Sequence, residues 1–141
     1  MSHPVDLPTP DTFTLEYISE QQLLVARWLG PMELPEIKQC YEAILAAAQL
    51  NGNCRRWLLD MRRRAIGDAA GLAWFSQEFS PRLVGTLGGP LFAAYFSTIN
   101  HSAAREREDL GKSIAEGELN GTYYHYFNRE DEALAWLAEQ P

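Results

Sequence analysis

The fold of this chain turns on one stretch, "LLDMRRRAIGDAAGLAWF", residues 58–75. With the residues just before it, "CRRWLLDM" (54–61) reads as a buried strand that ends near Asp60. Three arginines then cross a loop, and "DAAGLAWFSQEF" opens a helix with Asp68 placed to cap its first amides. Strand, polar loop and helix start in succession are the mark of an α/β protein. In such sheets, sites gather at the carboxyl ends of the parallel strands. Here the helix start carries Ala69 and Ala70 and no nucleophile.

Upstream, "FTLEYIS" (13–19) alternates, with Phe13, Leu15 and Tyr17 on one side, as a half-buried strand does. "LLVARWLG" (23–30) is more continuously apolar and therefore more central. The short "EQQ" between them implies an antiparallel hairpin. In "GPMELPEIKQCYEAILAAAQLNGN", Leu34, Ile37, Tyr41, Ile44 and Ala48 form one helical stripe. Pro35 suits its first turn, and Asn51-Gly52 ends it.

Downstream, Pro81 kinks or restarts the second helix. "GTLGG" (85–89) reads as a loop; a strand follows it, so it fails the test for a phosphate cradle. "PLFAAYFST" (90–98) is apolar throughout, a strand buried on both faces. "SAAREREDLGKSIAEGELNG" (102–121) reads as a charged surface helix, and "TYYHYFN" (122–128) as the fifth strand. If that strand lies at the sheet edge, its aromatic face is a candidate dimer surface. Asn128 is expected to cap the last helix, "REDEALAWLAEQ", with Asp131 reaching back to the cap. Leu134, Leu137 and Ala133 form its inner face.

The order is β-β-α-β-α-β-α-β-α. It predicts an α/β domain with a mainly parallel five-stranded sheet, an opening antiparallel hairpin and about four helices. Residues 1–12, with three prolines, read as a flexible leader, and 13–141 as a single domain.

Composition narrows the function. The chain has 141 residues, 46% hydrophobic and 22% charged, enough for one globular core. A net charge of −7 disfavours nucleic acid and anionic membrane surfaces as partners. Apolar runs are too short for stable membrane insertion. Cys40 and Cys54 read as reduced thiols of a cytoplasmic protein, at a spacing that makes no zinc motif. His101 and His125 lack neighbouring ligands at metal spacing, and Ser97, Ser102 and Ser113 lack a nucleophile-elbow context. No cofactor, metal site or catalytic set is expected.

The candidate site is the loop itself. Arg62, Arg63 and Arg64, with Arg55 and Arg56, are five of the twelve basic residues. Beside a helix start they form a candidate anion-binding rim; the plainer reading is a solvated loop paired with some of nineteen acids. Asp60 and Asp68 are either paired carboxylates or a loop closure and a helix cap. Trp74, Phe75 and Phe79 either line an apolar pocket or cover the sheet.

The element order resembles the STAS or SpoIIAA-like fold of bacterial anti-sigma-factor antagonists. Those proteins carry a strand ending in Asp, a short loop, and "D-S-x-G-L" at a helix start; this chain reads Asp60, then Asp68-Ala69-Ala70-Gly71-Leu72. The phosphorylated serine of the family falls on Ala69, so the resemblance implies a module not switched there. A nearer resemblance is to a SpoIIAA-like bacterial branch with an "F-x-L" opening strand, "LLDMR" and "E-A-L-x-W-L", here Phe13-Leu15, Leu58 to Arg62 and Glu132 to Leu137. The resemblance implies a non-catalytic regulatory module that binds another protein, or itself as a homodimer, through a rim of Asp60, Arg62, Arg63, Arg64, Asp68, Ala69 and Gly71. That branch's kinship with lipid-binding domains implies the alternative, a carrier or sensor of a small hydrophobic or acyl ligand.

Overall fold

The chain enters its sheet as an antiparallel meander and then winds it onward in one direction. The computed structural model describes residues 2–5, 9–64, 69–97 and 121–140. Six strands among them lie in space in the order they occur in the chain. These are β1 (Ser2–Pro4), β2 (Phe13–Ile18), β3 (Leu23–Trp28), β4 (Arg56–Asp60), β5 (Leu91–Phe96) and β6 (Thr122–Phe127). The first two pairings are antiparallel and the remaining three parallel. Helix α1 (Leu34–Leu50) joins β3 to β4; α2 (Ala69–Trp74), a wide π turn (Phe75–Phe79) and α3 (Ser80–Leu87) join β4 to β5. Helix α4 (Glu130–Ala138) follows β6.

The hairpin, the parallel strands and the α/β class match the expectation, but the leader does not. Ser2–Pro4 pairs with β2, and the Val5 amide donates to the Leu15 carbonyl at 2.9 Å. Pro4 is tolerated because an edge strand has one side on which no N–H is needed. Val5 then packs against the core, which gives the segment an apolar anchor. The expected charged helix over 102–121 lies, but for Gly121, outside the described residues.

Side-chain alternation divides the core into two. Leu24, Ala26, Trp28, Trp57, Leu59, Ala93 and Tyr95 face α1 and the α2–α3 segment. Leu23, Val25, Leu58, Phe92, Ala94 and Phe96 face α4, through Ala133 and Leu137. The two crossover connections among the described residues advance the same way along the sheet, so crossovers of one hand set their helices on one face. That leaves α4 to cover the other.

Local chemistry explains the joints. Pro81 has no N–H for an α-helical bond and its ring crowds the preceding turn; the backbone widens over Phe75–Phe79 and restarts with Pro81 in the first turn of α3. Gly85 to Leu87, expected in a loop, belong to α3, with the Thr86 hydroxyl donating to the Arg82 carbonyl at 2.8 Å. Gly88 ends that helix at φ +78°, a conformation that favours glycine. At the end of α1, the Asn51 side-chain Nδ2 donates to the Ala47 carbonyl, and the left-handed positions fall on Gly52 and Asn53. The cap of α4 sits at Arg129, not Asn128. Asp131 accepts from the Arg129 guanidinium at 2.8 Å and from the Glu132 amide at 3.0 Å, so it closes the first turn without reaching a cap residue's amide.

Candidate functional site: a charged rim at the strand ends

β4 places Leu58 and Asp60 on the α4 side, and Trp57 and Leu59 on the other. Asp60 is thus carried into a mostly apolar layer and is 3% exposed. A buried carboxylate is stable only when its oxygens are paired. β3 supplies the first partner, since the parallel register sets Arg27 beside Asp60 and brings its guanidinium to 2.8 Å. The turn after β4 supplies the second. Arg62 grips both carboxylate oxygens, Nε at 3.0 Å and NH2 at 2.8 Å, and its backbone amide adds a third contact at 3.2 Å. The same guanidinium lies 4.5 Å over the Phe96 ring. Arg27 also reaches Glu130 at 2.6 Å, tying the start of α4 to the sheet.

The four groups form one neutral network of two guanidinium and two carboxylate groups. Burial pushes the Asp60 carboxyl up, but hydrogen bonds from Arg62 and Arg27 outweigh it and hold it below its ordinary value. Burial lowers Arg27, and its bonds to Glu130 and Asp60 more than restore it. Asp60 is therefore a fixed anion, a poor base with all its strong donors already engaged. The arrangement suits recognition better than proton transfer.

The three arginines do not form one patch. Arg62 goes to Asp60 on the α4 face. Arg64 turns under the sheet's opposite face and is 5% exposed, its guanidinium 4.6 Å over Trp28 and its NH1 donating to the Tyr41 hydroxyl at 3.3 Å. Arg63 is exposed to solvent, as is part of the Arg62 side chain. The tight turn is closed by the Arg64 amide donating to the Met61 carbonyl at 3.2 Å, and it reverses the chain between these side chains. Arg55 and Arg56 lie at the other end of β4. Arg56 bonds the carbonyls of Gln21 and Gln140, and Arg55 lies so close over Gly89 that any Cβ there would collide with it. Asp68 lies outside the described residues. Ala69 is the first residue of α2, and Gly71 is buried within it.

Of the expected apolar-pocket residues, Phe75 and Phe79 are fully buried and Trp74 is half-buried. All three surround Tyr41, with ring centroids at 4.7, 5.7 and 5.7 Å for Phe75, Phe79 and Trp74. Trp74 and Phe79 also stack at 5.0 Å. These rings fill the space between α1 and the α2–α3 segment with one another. An open cleft of about 230 Å³ lies elsewhere, lined in part by Leu23, Arg56, Leu134 and Leu137.

Sequence reading missed Arg27, Glu130 and Tyr41 as members of these arrangements. Arg27 carried a usable signal: a lone cation within the apolar "LLVARW" demands a partner. Glu130 carried none, because only the fold brings it from a distant segment. The two thiols are free and buried. Burial pushes the Cys40 thiol up to about 11, and its sulfur lies 3.7 Å from that of Met32. Among the described residues no group of His, Cys, Asp and Glu is arranged to hold a metal, and no helix is long and apolar enough to cross a membrane. Set against protein-family models, curated proteins and solved structures, the chain finds no match in any of the three.

Proposed function

We propose that this chain is a non-catalytic regulatory module of STAS or SpoIIAA-like type that binds another protein through the rim at the carboxyl ends of β3 and β4. One observation carries the reading. Asp60, Arg62, Arg27 and Glu130 form a rigid, internally neutral charge pattern at the rim, with Arg63 exposed beside it. A fixed pattern of this kind favours one partner orientation, and like-charge contacts reject others. The antiparallel opening followed by parallel βα units supports the fold kinship. Ala69 stands at the helix start where the antagonists carry a phosphorylated serine, a departure that fits a module not switched there. The free thiols fit a reducing compartment, and the reading places the protein in the cytoplasm.

Cross-linking and pull-down from a lysate test this with wild type and with Arg63→Glu combined with Arg62→Glu. The reading expects a discrete partner with wild type and at least a roughly tenfold loss with the double variant. Equal capture by both would remove the rim from the function. The carrier alternative has less support, because Trp74, Phe75 and Phe79 already occupy their own space. Native mass spectrometry decides it: added mass that disappears on denaturation would move the assignment to a ligand carrier.

A further inference from the structure

The two edges of the sheet are unlike. β1 is three residues long and ends in Pro4, a short edge that resists further pairing. β6, Thr122–Phe127, is twice as long and is the last strand of the sheet among the described residues. It has no proline and no formal charge, and neither do its neighbours Gly121 and Asn128. None of the usual devices that discourage edge pairing is present in it.

Its backbone polarity can be assigned. The Leu91 amide donates to the Gly121 carbonyl and the Ser97 amide to the Phe127 carbonyl, at 3.2 and 3.0 Å. Odd-numbered positions therefore turn their backbone groups toward β5. By strand alternation Thr122 and Tyr124 turn theirs to the outer edge. Beside that edge, on the α4 side, lies an aromatic shelf. Tyr123, 40% exposed, stacks on Phe92 at 5.3 Å, and His125 stacks on Trp136 at 4.5 Å.

We propose that a second copy of this chain pairs antiparallel along the outer edge of β6, making one continuous sheet across a two-fold axis. An axis at Tyr124 matches the outward backbone groups of both strands, because residues of the same parity then face each other. It sets Tyr123 beside the partner's His125, where side chains of an antiparallel pair come closest. Charge selects this edge for a contact between copies. Two chains of net charge −7 repel over most of their surfaces, and this uncharged edge brings no like charges into opposition along the strand. Self-pairing also needs no extended segment from elsewhere, and a two-fold contact closes without leaving a further edge to propagate. The surface is separate from the rim and does not depend on its reading.

Sedimentation velocity of the full chain over roughly 1 to 100 µM tests this, since dimerisation is set by mass action. The expected species has twice the 15.9 kDa of the chain. Tyr124→Pro removes an outward amide from each copy and spares the bonds to β5, so it should weaken dimerisation roughly 100-fold. Tyr123→Lys, which leaves the backbone intact, should do so as well and decides the matter if the proline variant fails to fold by circular dichroism. In wild type the Thr122 and Tyr124 amides should exchange more slowly as concentration rises. A wild type that stays monomeric, a dimer that a folded variant leaves intact, or amides equally protected at every concentration would each overturn the proposal.

Discussion

The two faces of the sheet are closed by different chemistry. On one face, α1 and the α2–α3 segment bring aromatic rings onto the strands, and Phe13, Trp28, Tyr41, Phe75, Phe79 and Tyr95 share one layer. On the other, the short α4 contributes Ala133 and Leu137, and ion pairs complete the margin. Three consecutive arginines are divided between them. Arg64 acts on the aromatic face as a flat, buried cation between rings; Arg62 acts on the charged face as a fork for Asp60; Arg63 touches neither core. Like residues in a run thus do unlike work, and the turn at Met61 to Arg64 decides which.

The comparison predicts an order of effects. Trp28→Ala strikes the aromatic face hardest. It removes a ring 1% exposed from between Phe13 and Tyr41, and should lower unfolding free energy by about 3–5 kcal/mol in urea titrations. A loss below about 1 kcal/mol would mean that this layer repacks freely.

Arg64→Ala should follow at about 2–3 kcal/mol, because it deletes a buried stem and its stacking on Trp28. Arg63→Ala, one position away, should stay within about 0.5 kcal/mol. Equal effects would erase the division of labour in the loop.

Asp60→Asn probes the charged face. It should cost about 2 kcal/mol at neutral pH, since Arg27 and Arg62 lose their shared anion. The fold lowers the Asp60 pKa below its ordinary 3.8, so its ionised form favours the folded state. That contribution is complete above about pH 4 and is lost as pH falls through the folded value. The gap between the melting curves of wild type and Asp60→Asn should therefore narrow as pH falls below about 4. A gap that is constant with pH would assign the loss to shape and not to charge.

The smallest effect belongs to the surface pair Arg82–Glu42, which links α3 to α1 at 3.0 Å with both side chains about half exposed. Arg82→Ala should change stability by roughly 0.5 kcal/mol or less.

How much of this was legible beforehand differs by element. Alternation located β2, the 3.6-residue period located α1 and α4, and continuous apolar or aromatic runs located β3 to β6. Ser2–Pro4 was not legible as a strand: three residues show no period, and the pairing rests on β2 offering its edge. The rim was half legible. Asp60 at a strand end was visible, whereas the direction of each arginine depended on a turn whose geometry local composition does not specify. Glu130 joined the rim only through the parallel register and the docking of α4. The aromatic residues after Gly71 were visible in the sequence, but whether rings line a space or fill it depends on what sits opposite, and Tyr41 sits opposite.

The strand order carries a consequence for how the molecule is made. Synthesis proceeds from the N-terminus, and here each strand's neighbour is the one that left the ribosome just before it. The sheet is able to grow strand by strand during translation, antiparallel hairpin first. Helix α4 emerges after all six strands. Until it docks, Leu23, Val25, Leu58 and Phe92 lack their cover and Arg27 lacks Glu130. In the interval between completion of the sheet and arrival of α4, that apolar layer of the nascent chain lacks the helix that packs on it in the folded protein.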